Sequence, residues 1–189
     1  MSGGDEYVRE AVRTYLETAV PTRLAAELAA DGLTSPSTDI AFLLQDVLEG
    51  VESFPAVLVK STLGEIDKWV ATRTFWMDYT VELIVACDHR VHGSYEGAST
   101  DRDRVLRAVR GAVLTMSGLP NDINVNLRTV KWVTGAAVQT LAGVPLAAGT
   151  LTFDAKVEET ISVLDPPEDM DAADLTVTGV DADTDLDTD

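Results

Sequence analysis

The stretch ACDHRVHG, residues 86 to 93, holds the side chains best suited to nucleophilic or metal chemistry. Cys87, the only cysteine of the sequence, and both histidines, His89 and His92, lie within six consecutive positions. An imidazole can activate a thiol as a nucleophile, and zinc binds both sulfur and nitrogen. Two hypotheses follow: a small enzyme that uses Cys87, and a metal site held by Cys87, His89 and His92.

The spacing of these residues favours neither hypothesis. On a strand, Cys87 and His89 share one face but stand about 7 Å apart and point in parallel, which is too far for a Cys-His dyad. The order of the residues matches none of the paired Cys or His patterns of zinc sites. The sequence also lacks a Gly-rich phosphate loop, a nucleophile elbow and an HExxH motif. We therefore predict no catalytic, cofactor or metal site, and expect Cys87 to be the last core residue of a strand.

Helical spacing dominates the first 50 residues. One predicted helix ends at Pro21, a second occupies TRLAAELAADG and ends at Gly32, and a third ends at Gly50. The apolar stripes of the first and third are Val8, Ala11, Val12, Tyr15, Leu16 and Ala19, and Ile40, Leu43, Leu44, Val47 and Leu48. The sequence therefore begins with three amphipathic helices.

Beyond Phe54 the apolar residues alternate, which is typical of strands. The segments FPAVLVK, Trp69 to Cys87, NVNLRTVKWV and TLTFDAKVEETISV predict four strands. A fourth helix, capped by Thr100 and Asp103, separates the second strand from the third. Its predicted buried stripe is Val105, Val109, Ala112, Val113 and Met116. This order predicts an α+β domain over residues 1–164, with a four-stranded antiparallel or mixed sheet and helices packed on one face.

The charge of the chain excludes some partners. The formal net charge is -18, and ten acidic residues without a basic one lie in 165–189. We interpret 165–189 as an acidic tail that is flexible or ordered only on assembly, in which LTVTGV could pair with a sheet edge. So acidic a chain repels phosphate backbones and anionic membranes. With no signal peptide and no long apolar run, we expect a soluble protein without membrane or nucleic-acid binding.

The choice among charged residues is also informative. Asp outnumbers Glu 20 to 12, and Arg outnumbers Lys 10 to 4. This bias resembles that of proteins that work in concentrated salt, which screens self-repulsion. A halophilic host and a GC-rich genome both account for it.

The segment TGAAVQTLAGVPLAAG, between the last two predicted strands, is long for a connection and carries no charge. An apolar link in so acidic a chain needs a cover, which is either a partner subunit or the core of the same chain. The candidate interface residues of this link are Ala136, Ala137, Val138, Leu141, Val144, Pro145 and Leu146.

The order of these segments resembles a known family. YVREAVRTYLETAV, PAVLV, RTFWMDYTVELIVAC, DRDRVLRAVRGAVLTM and GTLTFDAKVEETI look like the tail terminator and tail-completion (head-tail joining) proteins of long-tailed double-stranded DNA viruses. The resemblance covers roughly residues 5 to 163 and consists of order and pattern, without a diagnostic motif. Residues 22 to 49 are more than the family pattern leads one to expect before PAVLV.

The resemblance implies a structural virion protein of the tail or neck, assembled in the host cytoplasm and inactive as an enzyme. Such proteins form a homohexameric ring that ends the tail tube and meets the head-tail connector, and DNA passes through the lumen without specific binding. Arg102, Arg107 and Arg110 would then pair with acidic residues of a neighbouring subunit, unless local pairs such as Asp103 with Arg107 explain them. An acidic cytoplasmic adaptor is the other alternative to the two hypotheses for Cys87.

Overall fold

The computed structural model of the chain describes residues 4–45, 51–71, 73–88, 94–117, 119–120, 122–141 and 144–160, without the side chains at 63 and 135–145. Two helices and five strands lie within this part. In chain order they are α1 (Asp5–Asp31), β1 (Ala41–Leu43), β2 (Ala56–Ala71), β3 (Thr74–Asp88), α2 (Tyr95–Leu114), β4 (Ile123–Leu141) and β5 (Val144–Thr160). The predicted tail, 165–189, lies outside the described residues.

The strands form one mixed sheet in the order β1-β2-β3-β5-β4. The β1–β2 pair is parallel, and the β2–β3, β3–β5 and β4–β5 pairs are antiparallel. The predicted α+β class is confirmed. The predicted sheet is matched only roughly, because β1 adds a fifth strand to the four that the sequence indicated.

α1 replaces the first two predicted helices, and it runs through Pro21 without a break. The reason is an apolar stripe at intervals of four residues that continues on both sides of the proline. Its buried members are Val8, Val12, Leu16, Val20, Leu24 and Leu28. Packing of this stripe on the sheet outweighs the cost of a proline within a helix. Gly32, at φ 65°, ends the helix as predicted.

The predicted third helix is wrong where the structure describes it. Ala41–Leu43 is a strand whose residues pair with Ala56–Leu58 of β2. Ile40, just before it, is buried in the core. A short apolar run is compatible with both the helical and the strand period. Here pairing with the edge of β2 favours the strand. The remainder of that predicted helix, 46–50, lies outside the described residues.

The single long strand predicted from Trp69 to Cys87 is instead parts of two. Ala71 ends β2 and pairs with Thr74, the first residue of β3. The sequence gives no warning of this turn, because ATRT contains no Gly, Pro or Asn. Gly64 lies at an irregularity of the pairing, where a Cβ would be 2.7 Å from the carbonyl oxygen of Asp78. Glycine is therefore the residue that lets β2 bend close to β3 at this point.

α2 begins earlier than predicted. Ser94 is the N-cap and its Oγ accepts a hydrogen bond of 3.2 Å from the backbone N–H of Gly97, so the predicted cap of Thr100 and Asp103 lies inside the helix. The predicted stripe is correct, with Val105, Val109, Ala112 and Val113 buried and Met116 packed against the core.

The predicted link between the last two strands is itself largely strand. β4 and β5 form a hairpin whose pairing extends to Leu141 with Val144, so only two positions separate the paired ends. An uncharged segment rich in Ala, Val and Leu suits a strand as well as a connection, and here pairing with β5 makes it a strand.

The main core lies on one face of the sheet, beneath α1 and α2. Its buried sheet residues include Val57, Tyr79, Leu83, Leu151 and Phe153. A smaller cluster on the opposite face contains Val51, Ala56, Leu58, Ile84, Ala86 and Leu146. Both described helices pack on the same face, as predicted. Within the described residues, no helix combines the length and the apolarity needed to cross a membrane.

Candidate subunit interface

Cys87 is in the core, next to the end of β3 at Asp88. Its side chain is 3% exposed, and burial raises the pKa of the thiol, with a further contribution from the nearby Asp101 carboxylate. A thiol that stays protonated is a poor nucleophile and a poor metal ligand. The prediction that Cys87 is the last core residue of its strand is confirmed.

The surroundings of Cys87 offer little room for a substrate. A cavity of about 30 Å³ next to it is lined by Pro36, Phe54, Asp88 and Asp101, among others. That volume holds a water molecule and not a metabolite. Among the described residues no three His, Cys, Asp or Glu side chains are grouped so that they could hold a metal ion. His89 and His92 lie outside the described residues.

Two outer strands offer a different kind of site. β1 covers β2 only at Ala56–Leu58, so the outer edge of β2 beyond Leu58 has no strand partner among the described residues. β4, at the other side of the sheet, pairs with β5 alone in the same part of the chain. Free N–H and C=O groups along such edges are ready to pair with another chain.

Exposed apolar side chains collect on the same two strands. The described large hydrophobic residues that are exposed are Leu33, Ile66, Trp69, Val70, Tyr95, Leu114, Leu127, Trp132 and Val133. Six of the nine lie on β2 or β4. Trp69, Val70, Trp132 and Val133 are each at least half exposed. Such a concentration of apolar surface on both edges of one sheet is typical of an interaction site.

The part of β2 after Thr62 extends beyond the core. The side chains described there, up to Ala71, are exposed, while Phe75 on the paired strand is buried. The rings of Trp69 and Phe75 contact each other with their centroids 5.1 Å apart and tilted by 53°. This aromatic contact stiffens the tip of the β2–β3 hairpin, which then presents Trp69 and Val70 to the outside.

The second edge carries a groove between α2 and β4. It has a volume of about 120 Å³ and is lined by Asp103, Leu106, Arg107, Arg110, Trp132 and Thr134. The guanidinium carbon of Arg110 lies 4.6 Å from the centroid of the Trp132 ring, a cation–π contact. Trp132 is opposite Leu151 of β5, so it stands on the face of the sheet that the helices cover.

Arg102 supports this groove from inside the subunit. It is buried, and it donates to the carboxylate of Asp103 at 2.8 and 2.9 Å and to the carbonyl oxygen of Ala148 at 3.4 Å. Asp103 therefore bonds to Arg102 and not to Arg107, contrary to the predicted local pair. Arg107 is exposed, and Arg107 and Arg110 form no ion pair with another described residue.

The other candidate interface residues lie at the far end of the β4–β5 hairpin. Ala136 pairs with Ala148, Gln139 with Leu146, Thr140 with Pro145, and Leu141 with Val144. Ala137 and Val138 lie in β4 at an irregularity of the pairing. Leu146 is 1% exposed and belongs to the smaller cluster, so its side chain is already covered within the subunit.

The exposed apolar residues of the two sheet edges were not among the residues predicted to form an interface. Trp69, Val70, Trp132 and Val133 were assigned to strands, but their exposure depends on which strands lie at the edges, which the strand pattern does not state. One signal was present: apolar residues occupy consecutive positions in WVA and WVT, which breaks the alternation of a half-buried strand.

No protein-family model matches the sequence, and a search of curated proteins finds no match to it.

Proposed function

We propose that the protein is a structural subunit that assembles head to tail with identical copies into a closed ring. The observation that carries this proposal is that one sheet has two different edges, on β2 and β4, that are open among the described residues and carry exposed apolar side chains. A surface that meets a different surface on the next copy makes a heterologous contact, and such contacts form rings when the rotation between copies closes.

The proposed place of this ring is the tail or neck of a long-tailed virus, where it ends the tail tube and meets the head-tail connector. The order of the elements supports this role: an N-terminal amphipathic helix, a mixed sheet with helices on one face, and a second helix with four arginines. In this role the ring is a hexamer. The net charge of -18 also fits, because an acidic lumen repels the phosphates of passing DNA and removes adhesive contacts.

The two edges can be tested separately by adding charge to each. Ile66→Lys with Val70→Lys changes the β2 edge, and Leu127→Lys with Val133→Lys changes the β4 edge. These four side chains are 43% to 56% exposed, so the substitutions leave the core intact. Placing a lysine on an edge prevents pairing with another chain. Each lysine also reduces the negative charge of the subunit, so lost assembly cannot be attributed to greater repulsion.

Sedimentation velocity in molar salt measures the oligomeric state of each variant. Each double variant alone is expected to remain a monomer, while an equal mixture of the two gives dimers that grow no further, because each dimer has one intact interface. Leu33→Lys with Leu114→Lys, which adds the same charges just after α1 and at the end of α2, outside β2 and β4, is expected to assemble like the wild type. A β2 variant that dimerises alone through its intact β4 edge would show a two-fold contact and contradict a head-to-tail ring.

The viral role needs a test of its own. Gold-labelled antibodies against the protein are expected to mark the junction between tail and head on intact particles. Labelling of the host cell alone, with unlabelled particles, would contradict the viral role and leave the ring to be judged by sedimentation.

A further inference from the structure

The groove between α2 and β4 has the chemistry of a site for carboxylates. Arg107 and Arg110 line it without a carboxylate partner among the described residues, and the one acidic residue of the lining, Asp103, is already held by Arg102. Because Arg102 neutralises Asp103, Arg107 and Arg110 make the groove positively charged, although the whole chain carries a net charge of -18. Guanidinium groups bind carboxylates with two parallel hydrogen bonds, and the Arg110 guanidinium lies over the exposed Trp132 ring, with its carbon 4.6 Å from the ring centroid.

We propose that the acidic segment of residues 168–174, EDMDAAD, occupies this groove in the same chain. It contains Glu168, Asp169, Asp171 and Asp174 and no basic residue. The pairing is that of opposite charges between the groove and a segment of 165–189, which contains ten acidic residues and no basic one. It is separate from the backbone edge of β4, because Arg110 contacts Trp132 on the helix-covered face of the sheet, so the inference does not depend on ring formation.

The position of Thr160 allows the contact within one chain. Trp132 lies opposite Leu151, which is nine residues before Thr160 on the neighbouring strand β5. At roughly 3.4 Å per residue this is a distance of about 30 Å. Glu168 and Asp171 follow Thr160 by eight and eleven residues. An extended chain spans at most about 3.3–3.6 Å per residue, so Glu168 falls slightly short of the groove. Asp171 and Asp174, eleven and fourteen residues after Thr160, reach it.

A spin label at position 170 in the full chain tests the contact. Met170→Cys keeps every acidic residue, and the buried Cys87 is not expected to react with the label. The three tryptophans give three indole N–H signals by NMR. Trp76 pairs with Glu158, and Trp69 is opposite Phe75, which pairs with Glu159, so both lie near the end of β5. A segment that does not bind would therefore broaden Trp76 at least as strongly as Trp132.

We expect the label to broaden the Trp132 signal selectively, with complete loss of that selectivity in Arg107→Gln with Arg110→Gln. Lys68→Gln with Lys131→Gln removes the same charge but spares the groove, since Lys68 lies on β2 and Lys131 points to the opposite face from Trp132. This control is expected to retain the effect. Broadening of Trp76 above Trp132 in the wild type, or an unchanged pattern in the double arginine variant, would overturn the proposal.

A mixture of two differently labelled preparations distinguishes binding within one chain from binding to another copy. Unlabelled protein with ¹⁵N-tryptophan is combined with spin-labelled protein that lacks ¹⁵N. The proposal predicts no broadening of Trp132 in this mixture. Broadening would show that the segment of another copy binds the groove, and would overturn the assignment to the same chain.

Discussion

Cys87 shows how burial sets the chemistry of a single residue. The core raises the pKa of its thiol above the ordinary value of about 8.5, so the folded chain keeps a proton that the unfolded chain releases in alkali. The sequence predicted the core position correctly, because strand alternation places Cys87 among apolar residues. The sequence did not show that Asp101 of α2 lies near the thiol, where it raises the pKa further.

This difference predicts a pH dependence of stability. The contribution of Cys87 is fully present below about pH 8.5, and the free energy of unfolding falls as the pH rises above that value, by up to about 1.4 kcal/mol per pH unit. Urea unfolding of the wild type and Cys87→Ala at pH 7 to 10 measures the effect. The variant is expected to be less stable by about 1–2 kcal/mol at pH 7, with a shallower decline above pH 9. Parallel declines in the two proteins would contradict the assignment, and rapid reaction of the native thiol with a maleimide would favour a catalytic cysteine.

Some patterns in the sequence are sufficient to predict a helix or strand, and others are not. α1, α2 and the strand periods were predictable because their apolar residues recur over many turns or alternations, as in Val105, Val109 and Val113. The joins were not. Pro21 suggested a helix end, ATRT gave no sign of a turn, and the uncharged segment 135–149 was predicted to be a link. In each case pairing or packing with a distant segment outweighs the local preference.

The helix α1 gives a prediction at this scale. Pro21 has no N–H for the carbonyl of Glu17, so Pro21→Ala restores a hydrogen bond and is expected to raise the free energy of unfolding by about 1–3 kcal/mol. Pro120→Ala, outside any helix, is the control, because there the added freedom of the unfolded chain should cost about 0.4–1 kcal/mol. Thermal unfolding of both variants measures the difference. A loss of stability in Pro21→Ala would mean that the fold requires the proline at this position.

For the whole molecule, the net charge of -18 predicts a response to salt. The screening length falls from about 10 Å at 0.1 M salt to about 3 Å at 1 M, which weakens repulsion among the acidic residues. Urea unfolding is therefore expected to give a larger free energy of unfolding in 2 M KCl than in 0.1 M KCl. An unchanged or smaller value in 2 M KCl would contradict adaptation to concentrated salt and favour genome composition as the cause of the acidic bias.

The exposed edges matter most at the scale of the assembly. Ile66, Trp69 and Val70 on β2, with Leu127 and Val133 on β4, give the protein two different apolar surfaces. In the proposed ring, the β4 surface of each copy covers the β2 surface of the next copy, so no edge stays uncovered once the ring closes. Composition and charge predicted that apolar surface would need a cover and placed it in 135–149, where the side chains at 135–145 lie outside the described part of the structure. Among the described side chains, most of the exposed large hydrophobic residues lie on the outer strands β2 and β4.

The most direct measurement of this account is electron microscopy of the purified full chain in molar salt. The account predicts closed rings of six subunits with a central opening, in which β2 of each subunit lies next to β4 of the following one. Particles of monomer size at every salt and protein concentration, or symmetric dimers joined through a single edge, would contradict it.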